Sequence, residues 1–313
     1  MNRRHFFQAG IGAFLFGNFR RLFSRISDNR QVPRRPYNDH DALSIIGFGG
    51  IVVVGMEQVA ADRIVQESID SGINYFDVAP SYWDGEAEEK LGSALRKVRK
   101  QNFLACKTMA RDASGARDDL EASLKRLRTD YFDLYQFHAV TSMLDVERIF
   151  SPGGALETFV QAKKDGKIRY IGFSAHSEQA ALAMLDRFNF DSILFPINFV
   201  CYYKGNFGPA VIQKAREKNV ACLALKAMAY TPLPDGGEKK WQKCWYQPVE
   251  DKHLAEKALR FTLSEEITAA IPPGEEYFYR QALSFAKNFQ PMDAEEKNYL
   301  RSVAVNLDPL FSA

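Results

Sequence analysis

From about Asp41 onward, short runs of β-branched and aromatic residues alternate with longer amphipathic segments, and this alternation constrains the fold more than any other feature of the chain. The strands it predicts are Ser44–Phe48, Ile73–Val78, Asn102–Lys107, Phe132–Phe137, Arg169–Phe173, Ser192–Ile197, Ala221–Lys226 and Ile267–Ile271. The helices it predicts are Val59–Ser71, Ala87–Val98, Ala116–Leu127, Leu156–Lys164, Glu178–Phe188, Gly208–Glu217, Lys252–Leu263 and Glu275–Phe285. Gly72, Gly166 and Asn219 stand where left-handed helix caps belong. Eight strand–helix units in order close most economically into an α/β (β/α)8 barrel of parallel strands, one domain over residues 36–313. The rival is an open doubly wound sheet, whose Gly-x-Gly-x-x-Gly turn after the first strand is absent; Gly47, Gly49 and Gly50 match it only in part.

A chain of 313 residues, 46% of them hydrophobic, can bury one core of barrel size. No uninterrupted apolar run reaches the roughly 18 residues of a transmembrane helix. The net charge of +2 is unevenly spread: residues 1–35 hold eight arginines and one acid, Asp28, so the remainder is mildly acidic and offers no nucleic-acid surface. Cys106, Cys201, Cys222 and Cys244 form no CxxC pair and have no histidine at zinc-finger spacing, which predicts buried thiols.

Asn2-Arg3-Arg4-His5-Phe6-Phe7, followed by the glycine-rich, weakly apolar stretch 8–17, looks like a twin-arginine export signal. It predicts engagement of the twin-arginine translocation machinery and a periplasmic or cell-envelope location, with the cytoplasm as the alternative. Arg20 and Arg21 close the apolar run and no Ala-x-Ala site follows, so a basic tail or a surface-lying amphipathic helix is the other reading. Residues 1–35 are set apart as signal or tail, and Pro33 to Pro36 as a linker.

In a barrel, chemistry sits at the C-terminal ends of the strands. Three predicted apolar strands end on polar residues: Asp77, Lys107 and His138. Tyr82 follows Asp77 by five residues, in the loop after the second strand. A tyrosine with its pKa near 10 donates a proton poorly unless a cation stabilises its anion, a task suited to Lys107 held charged by Asp77. His138 would hydrogen-bond a substrate carbonyl. Reduction then requires a hydride that no side chain supplies, so a nicotinamide cofactor is implied. Each residue alone has an ordinary structural explanation, such as a cap, a surface aromatic, a solvated strand end or a core imidazole. Four of them at matching ends of successive strands form a coherent acid–base constellation.

At these residues the sequence resembles the aldo-keto reductase superfamily, over most of residues 41–290. The most specific match is Gly72-Ile73-Asn74-Tyr75-Phe76-Asp77-Val78-Ala79-Pro80-Ser81-Tyr82 with Glu88-Glu89-Lys90-Leu91-Gly92. Supporting matches are Lys107-Thr108, Ser123-Leu124-Lys125-Arg126-Leu127, Asp130-Tyr131-Phe132-Asp133-Leu134 leading to His138, and Gly166-Lys167-Ile168-Arg169-Tyr170-Ile171-Gly172-Phe173-Ser174. The resemblance implies a catalytic tetrad of Asp77, Tyr82, Lys107 and His138, a small-molecule carbonyl substrate, and NADP(H) as cofactor with NAD(H) as the alternative. The cofactor-binding candidates are Gly50, Asp77, Ser174, Leu225, Gly274 and Arg280. Departures from the family lie on this side. Ser174 stands where the family has the serine of its carboxamide-binding Ser-Asn pair, but Ala175 and His176 follow it, Leu194 replaces an expected glutamine, and Leu225 replaces the ring-stacking aromatic. Gly274 could admit a phosphate at a helix N-terminus and Arg280 could pair with it, against the opposing charge of Glu275 and Glu276.

Two other functions stay open from the sequence: a lyase using Lys107 as a Schiff-base nucleophile, and a dinucleotide-binding docking or regulatory barrel without turnover. Substrate choice is expected in the loops, above all 140–154 and the aromatic-rich insertion 227–250, which is either a cover over a substrate cleft or a surface excursion whose tryptophans pack on the barrel end.

Overall fold

The computed structural model describes residues 31–234 and 236–313. The chain opens with an antiparallel hairpin, β1 (Arg34–Pro36) and β2 (Ala42–Ser44). The barrel then begins with β3 (Phe48–Gly49), a 3-10 turn at Gly50–Val53, α1 (Gln58–Asp70), β4 (Tyr75–Asp77) and α2 (Glu86–Leu95). It continues with β5 (Phe103–Thr108), α3 (Ala113–Arg126), β6 (Phe132–Val140), α4 (Met143–Phe150), α5 (Ala155–Lys164), β7 (Ile168–Ala175) and α6 (Glu178–Arg187). Next come β8 (Ser192–Pro196), α7 (Phe199–Tyr203), α8 (Pro209–Glu217), β9 (Ala221–Leu225), and a hairpin of β10 (Ala229–Pro232) and β11 (Tyr246–Pro248). The chain ends with α9 (Lys252–Ser264), β12 (Ala269–Ile271), α10 (Glu276–Lys287) and α11 (Ala294–Ala304).

Eight parallel strands run in the order β3-β4-β5-β6-β7-β8-β9-β12. A parallel bridge between Ile46 and Ala270 closes the ring, with Gly47 N donating to Ala270 O and Ala270 N to Ile45 O, both at 2.9 Å. The fold is the (β/α)8 barrel that the strand–helix alternation predicts. Gly72, Gly166 and Asn219 have φ of 97°, 75° and 55°, the left-handed conformation of helix ends. All four cysteines are free and buried.

Along each strand, successive side chains face alternately the barrel axis and the helices. Tyr75, Ala105, Leu134, Leu194 and Leu223 fill the lower interior, while Phe76, Leu104, Tyr135, Phe137 and Ile193 join the larger core under the helices. Two residues further up the inward row, Tyr75 gives way to Asp77, Ala105 to Lys107 and Leu134 to Gln136. The barrel interior is thus mainly apolar below and polar near its C-terminal mouth.

Pro33–Pro36 is not a linker. Its strand pairs with β2, and Arg35 donates to the carbonyls of Ile267 (2.8 Å) and Leu263 (2.6 Å). The hairpin plugs the lower end, where Tyr37 packs against Phe103 and Tyr170 with ring centroids 5.0 and 5.3 Å apart. Prolines are tolerated there because the strand lies at an edge and carries few ladder bonds. The insertion 227–250 holds an antiparallel hairpin with a register shift between Ala229 and Thr231, and Trp241 packs on Tyr277 and Phe278 of α10. The loop 140–154 carries α4, capped by the Ser142 side chain, which accepts from Asp145 N. Among the described residues, no helix is long and apolar enough to cross a membrane. The twin-arginine-like segment lies outside the described residues.

Candidate active site

Asp77, Lys107 and His138 come from β4, β5 and β6, three neighbouring strands, and they meet Tyr82 from the turn after β4. Lys107 is almost fully buried (1% exposed), and its Nζ forms an ion pair with Asp77 Oδ1. The same nitrogen lies 3.3 Å from Tyr82 Oη and donates to the Val78 carbonyl at 3.2 Å. His138 sits edge-on to Tyr82, ring centroids 5.8 Å apart, with Nδ1 3.4 Å from Ser81 Oγ. The four predicted residues therefore converge on one rim.

Charge balance follows from this packing. Burial alone would neutralise Lys107, but the nearby Asp77 carboxylate and Tyr82 outweigh it and raise the lysine pKa. Lys107 therefore stays protonated and is a poor nucleophile. Burial is also the largest influence on Tyr82: it lifts the phenol above its usual value despite the opposing pull of Lys107. The expected lowering is absent because burial outweighs the pull of Lys107 and the Asp77 charge adds to burial, so Tyr82 rests as a loaded phenol. His138 is driven well below its ordinary value, first by burial and then by Lys107, His176, Arg111 and Lys226. Its imidazole is neutral at neutral pH and offers a hydrogen bond without a charge.

Several supporting residues escaped the sequence reading. Gln136 Nε2 donates to Asp77 Oδ2 at 3.1 Å, and Tyr75 Oη donates to the same oxygen at 3.4 Å. Both carry a readable signal, since each lies two positions before a site residue on its own strand and so shares its face. Arg111 binds Asp145 (3.1 Å) and the carbonyls of His138 (2.7 Å) and Ala139 (3.1 Å), fixing the end of β6. That contact spans loops distant in sequence and leaves no local pattern. Trp83, Asp84, Ala139 and Lys226 all adopt positive φ without being glycine, at 51°, 51°, 52° and 62°. They stand beside Tyr82, beside His138 and at the end of β9, so backbone strain gathers around the site.

Besides Asp77, the cofactor-side candidates belong to other elements. Ser174 is buried at the end of β7, its Oγ accepting from Ala139 N at 2.8 Å. Leu225 ends β9, partly exposed. Gly50 and Gly274 are close-approach positions: a Cβ would fall 2.7 Å from Val78 Cγ2 at the first and 2.4 Å from Ile51 Cγ2 at the second. Arg280 is engaged by Glu67 (2.9 Å) and Glu276 (2.6 Å). Lys243, unremarked in the sequence, reaches this end of the barrel from the insertion. Its Nζ donates to Val52 O at 2.8 Å, and its N donates to Glu275 Oε1 at 2.7 Å beside the start of α10.

Residues 46–270, which hold all four converging groups, match the Aldo/keto reductase family. The chain belongs to this family. The uncharacterized oxidoreductase YqkF of Bacillus subtilis is 32% identical over 264 residues, 74% of this chain and 83% of that protein. Methylglyoxal reductase YeaE of Escherichia coli is 37% identical over 184 residues, 58% of this chain and 59% of that protein. Among solved structures, aldo-keto reductase AKR11C1 from Bacillus halodurans in its holo form superposes with a TM-score of 0.69 at 24% identity, covering 90% of this chain and 99% of that one. This aldo/keto reductase is thus an oxidoreductase built on the family's barrel.

Proposed function

We propose that this aldo/keto reductase reduces an aldehyde or ketone to the alcohol using a nicotinamide dinucleotide, with Tyr82 as proton donor. The observation that carries this reading is the contact chain from Asp77 to Lys107 to Tyr82, with neutral His138 against the same phenol. A substrate oxygen placed between Tyr82 and His138 accepts a hydrogen bond from each. As the oxygen becomes an alkoxide it takes the Tyr82 proton, and Lys107 stabilises the phenolate left behind. Solvent then reloads the phenol.

The residues fit a dinucleotide. The start of α10 has no side-chain cap, Lys243 sets its ammonium on the Val52 carbonyl, and Gly274 brings backbone close to the same Gly50–Val53 turn, a setting that suits a diphosphate. Ser174 and the apolar end of Leu225 suit the nicotinamide, which supplies the hydride when bound. NADP(H) is the first reading. NAD(H) is the second, because Arg280, the candidate for a 2′-phosphate, is already held by two glutamates. A Schiff base at Lys107 is disfavoured by the carboxylate that keeps it protonated.

Fluorescence titration with NADPH and NADH, followed by a carbonyl panel, tests this reading. Saturable binding of one cofactor with turnover supports it. Tight binding of a cofactor with no turnover of any carbonyl supports a docking barrel instead.

A further inference from the structure

The mouth of the barrel holds a second buried lysine that the proton-transfer chain does not use. Lys226 directly follows β9, is 9% exposed, and adopts a left-handed backbone at φ 62°. Its Nζ reaches across the end of β8 to within 3.4 Å of His176 Nε2, on the residue that follows β7. The two aromatic rings of Trp245, from the insertion, and Phe311, from the C-terminal segment, cover it at 5.1 and 5.8 Å from their centroids. Phe311 also stacks on His176, at 5.4 Å and 21°. Lys107 has Asp77, whereas no carboxylate among the described residues lies within ion-pair distance of Lys226.

A buried cation without a counter-ion costs free energy that a bound anion would recover. The lysine shows this cost. Burial lowers it to about 7, against a weaker opposing influence from Cys201 of α7 and Cys244 of the insertion. Burial followed by Lys226 takes His176 down to about 3, so the imidazole is neutral and free to share a hydrogen bond. The pair lies near His138. His176 N donates to the Val140 carbonyl at 3.1 Å, two residues beyond His138 on β6, and Lys226 and His176 both act on the His138 imidazole. The cations around His138 that carry carboxylate partners are Lys107, with Asp77, and Arg111, with Asp145.

We propose that Lys226 and His176 form an anion-binding pair that selects carbonyl substrates bearing a carboxylate or phosphate group, and that Trp245 and Phe311 close over that group. The proposal rests on the carbonyl-reductase reading for the position of the reacting carbonyl, but the anion site is testable without turnover. An ammonium–carboxylate contact beneath two rings is charge-assisted and shielded from water, which makes it a strong discriminator between a substrate and its neutral isostere.

The test compares 4-oxobutanoate with its methyl ester in the wild-type enzyme and in Lys226→Met and Lys226→Arg. The wild type is expected to prefer the acid by about tenfold or more in kcat/KM. The preference collapses in Lys226→Met through a raised KM for the acid, while ester turnover is retained, and Lys226→Arg restores part of it. Calorimetric binding of succinate, lost in Lys226→Met, reports on the anion site even where no carbonyl is reduced, so failure of the reductase reading and failure of this one are separable. An unchanged acid-to-ester ratio in Lys226→Met overturns the proposal. So does an equal loss of both activities, which marks a structural lysine. A weakened dinucleotide Kd with the ratio unchanged also overturns it, and would place the anion on the cofactor. Borohydride trapping of the aldehyde on Lys226 would show a covalent role instead.

Discussion

Lys107 and Lys226 show how far one neighbour decides what a buried amine does. With Asp77 in contact, Lys107 keeps its charge through complete burial; Lys226, under comparable burial and without a carboxylate, falls to about 7. Removing one partner of a buried pair leaves the other uncompensated, a loss of about 3–5 kcal/mol. Asp77→Asn is therefore expected to lower unfolding free energy by about that amount, read by urea denaturation, and to remove turnover as well. A change under about 1 kcal/mol would mean that the Val78 carbonyl and Tyr82 alone can hold the lysine. Asp77, Lys107 and His138 were legible in the sequence because each ends an apolar strand with a polar side chain. Lys226 ends its strand in the same way, but its significance lies in what it lacks, and a missing counter-ion leaves no mark in a linear sequence.

At the scale of elements, the family-like motifs divide into chemistry and scaffolding. Glu88 is buried in α2 and pairs with Arg126 of α3, while Gly92 lets α2 approach so closely that a Cβ would fall 2.6 Å from Leu127 Cα. Arg169 at the start of β7 joins Asp133 (2.7 Å) and Asp41 (2.8 Å), tying the barrel to the segment that follows β1. These contacts account for motif residues that have no part in proton transfer. Strands and helices were legible because periodicity is local. Their ends shifted by a few residues, and α4, α7 and α11 were missed, the first two because helices of eight and five residues hold too few turns to establish a periodicity. The glycine turn at the last barrel strand gives a prediction at this scale. In Gly274→Ala the new methyl would meet Ile51, and overpacking of this kind costs about 1–3 kcal/mol. Ile51→Ala in the same chain is expected to recover part of the loss of thermal stability. Non-recovery would show that the glycine is needed for backbone reasons alone.

For the whole molecule, three buried bases bias stability toward alkaline pH. His138, His176 and Lys226 all have folded pKa values below their unfolded ones, so the unfolded chain binds more protons and stability rises with pH. For Lys226 the window runs from about 10.5, the unfolded value, down to about 7, below which its destabilisation is complete. For His176 the loss starts as pH falls below 6.5 and continues to about 3. Lys226→Met is therefore expected to raise Tm at pH 7, by a margin that shrinks toward pH 10; a constant margin would contradict the assignment of a desolvated lysine. The barrel concentrates these costs at its C-terminal mouth and keeps its lower end mainly apolar, the division expected where one end carries chemistry. The proposed role of Tyr82 as proton donor is central. The most direct test is kcat/KM for Tyr82→Phe on any carbonyl the wild type reduces, with far-UV circular dichroism and cofactor Kd measured alongside. A fall of about 100-fold or more with fold and cofactor binding intact is the predicted result, and a folded variant that turns over as fast as wild type would contradict it.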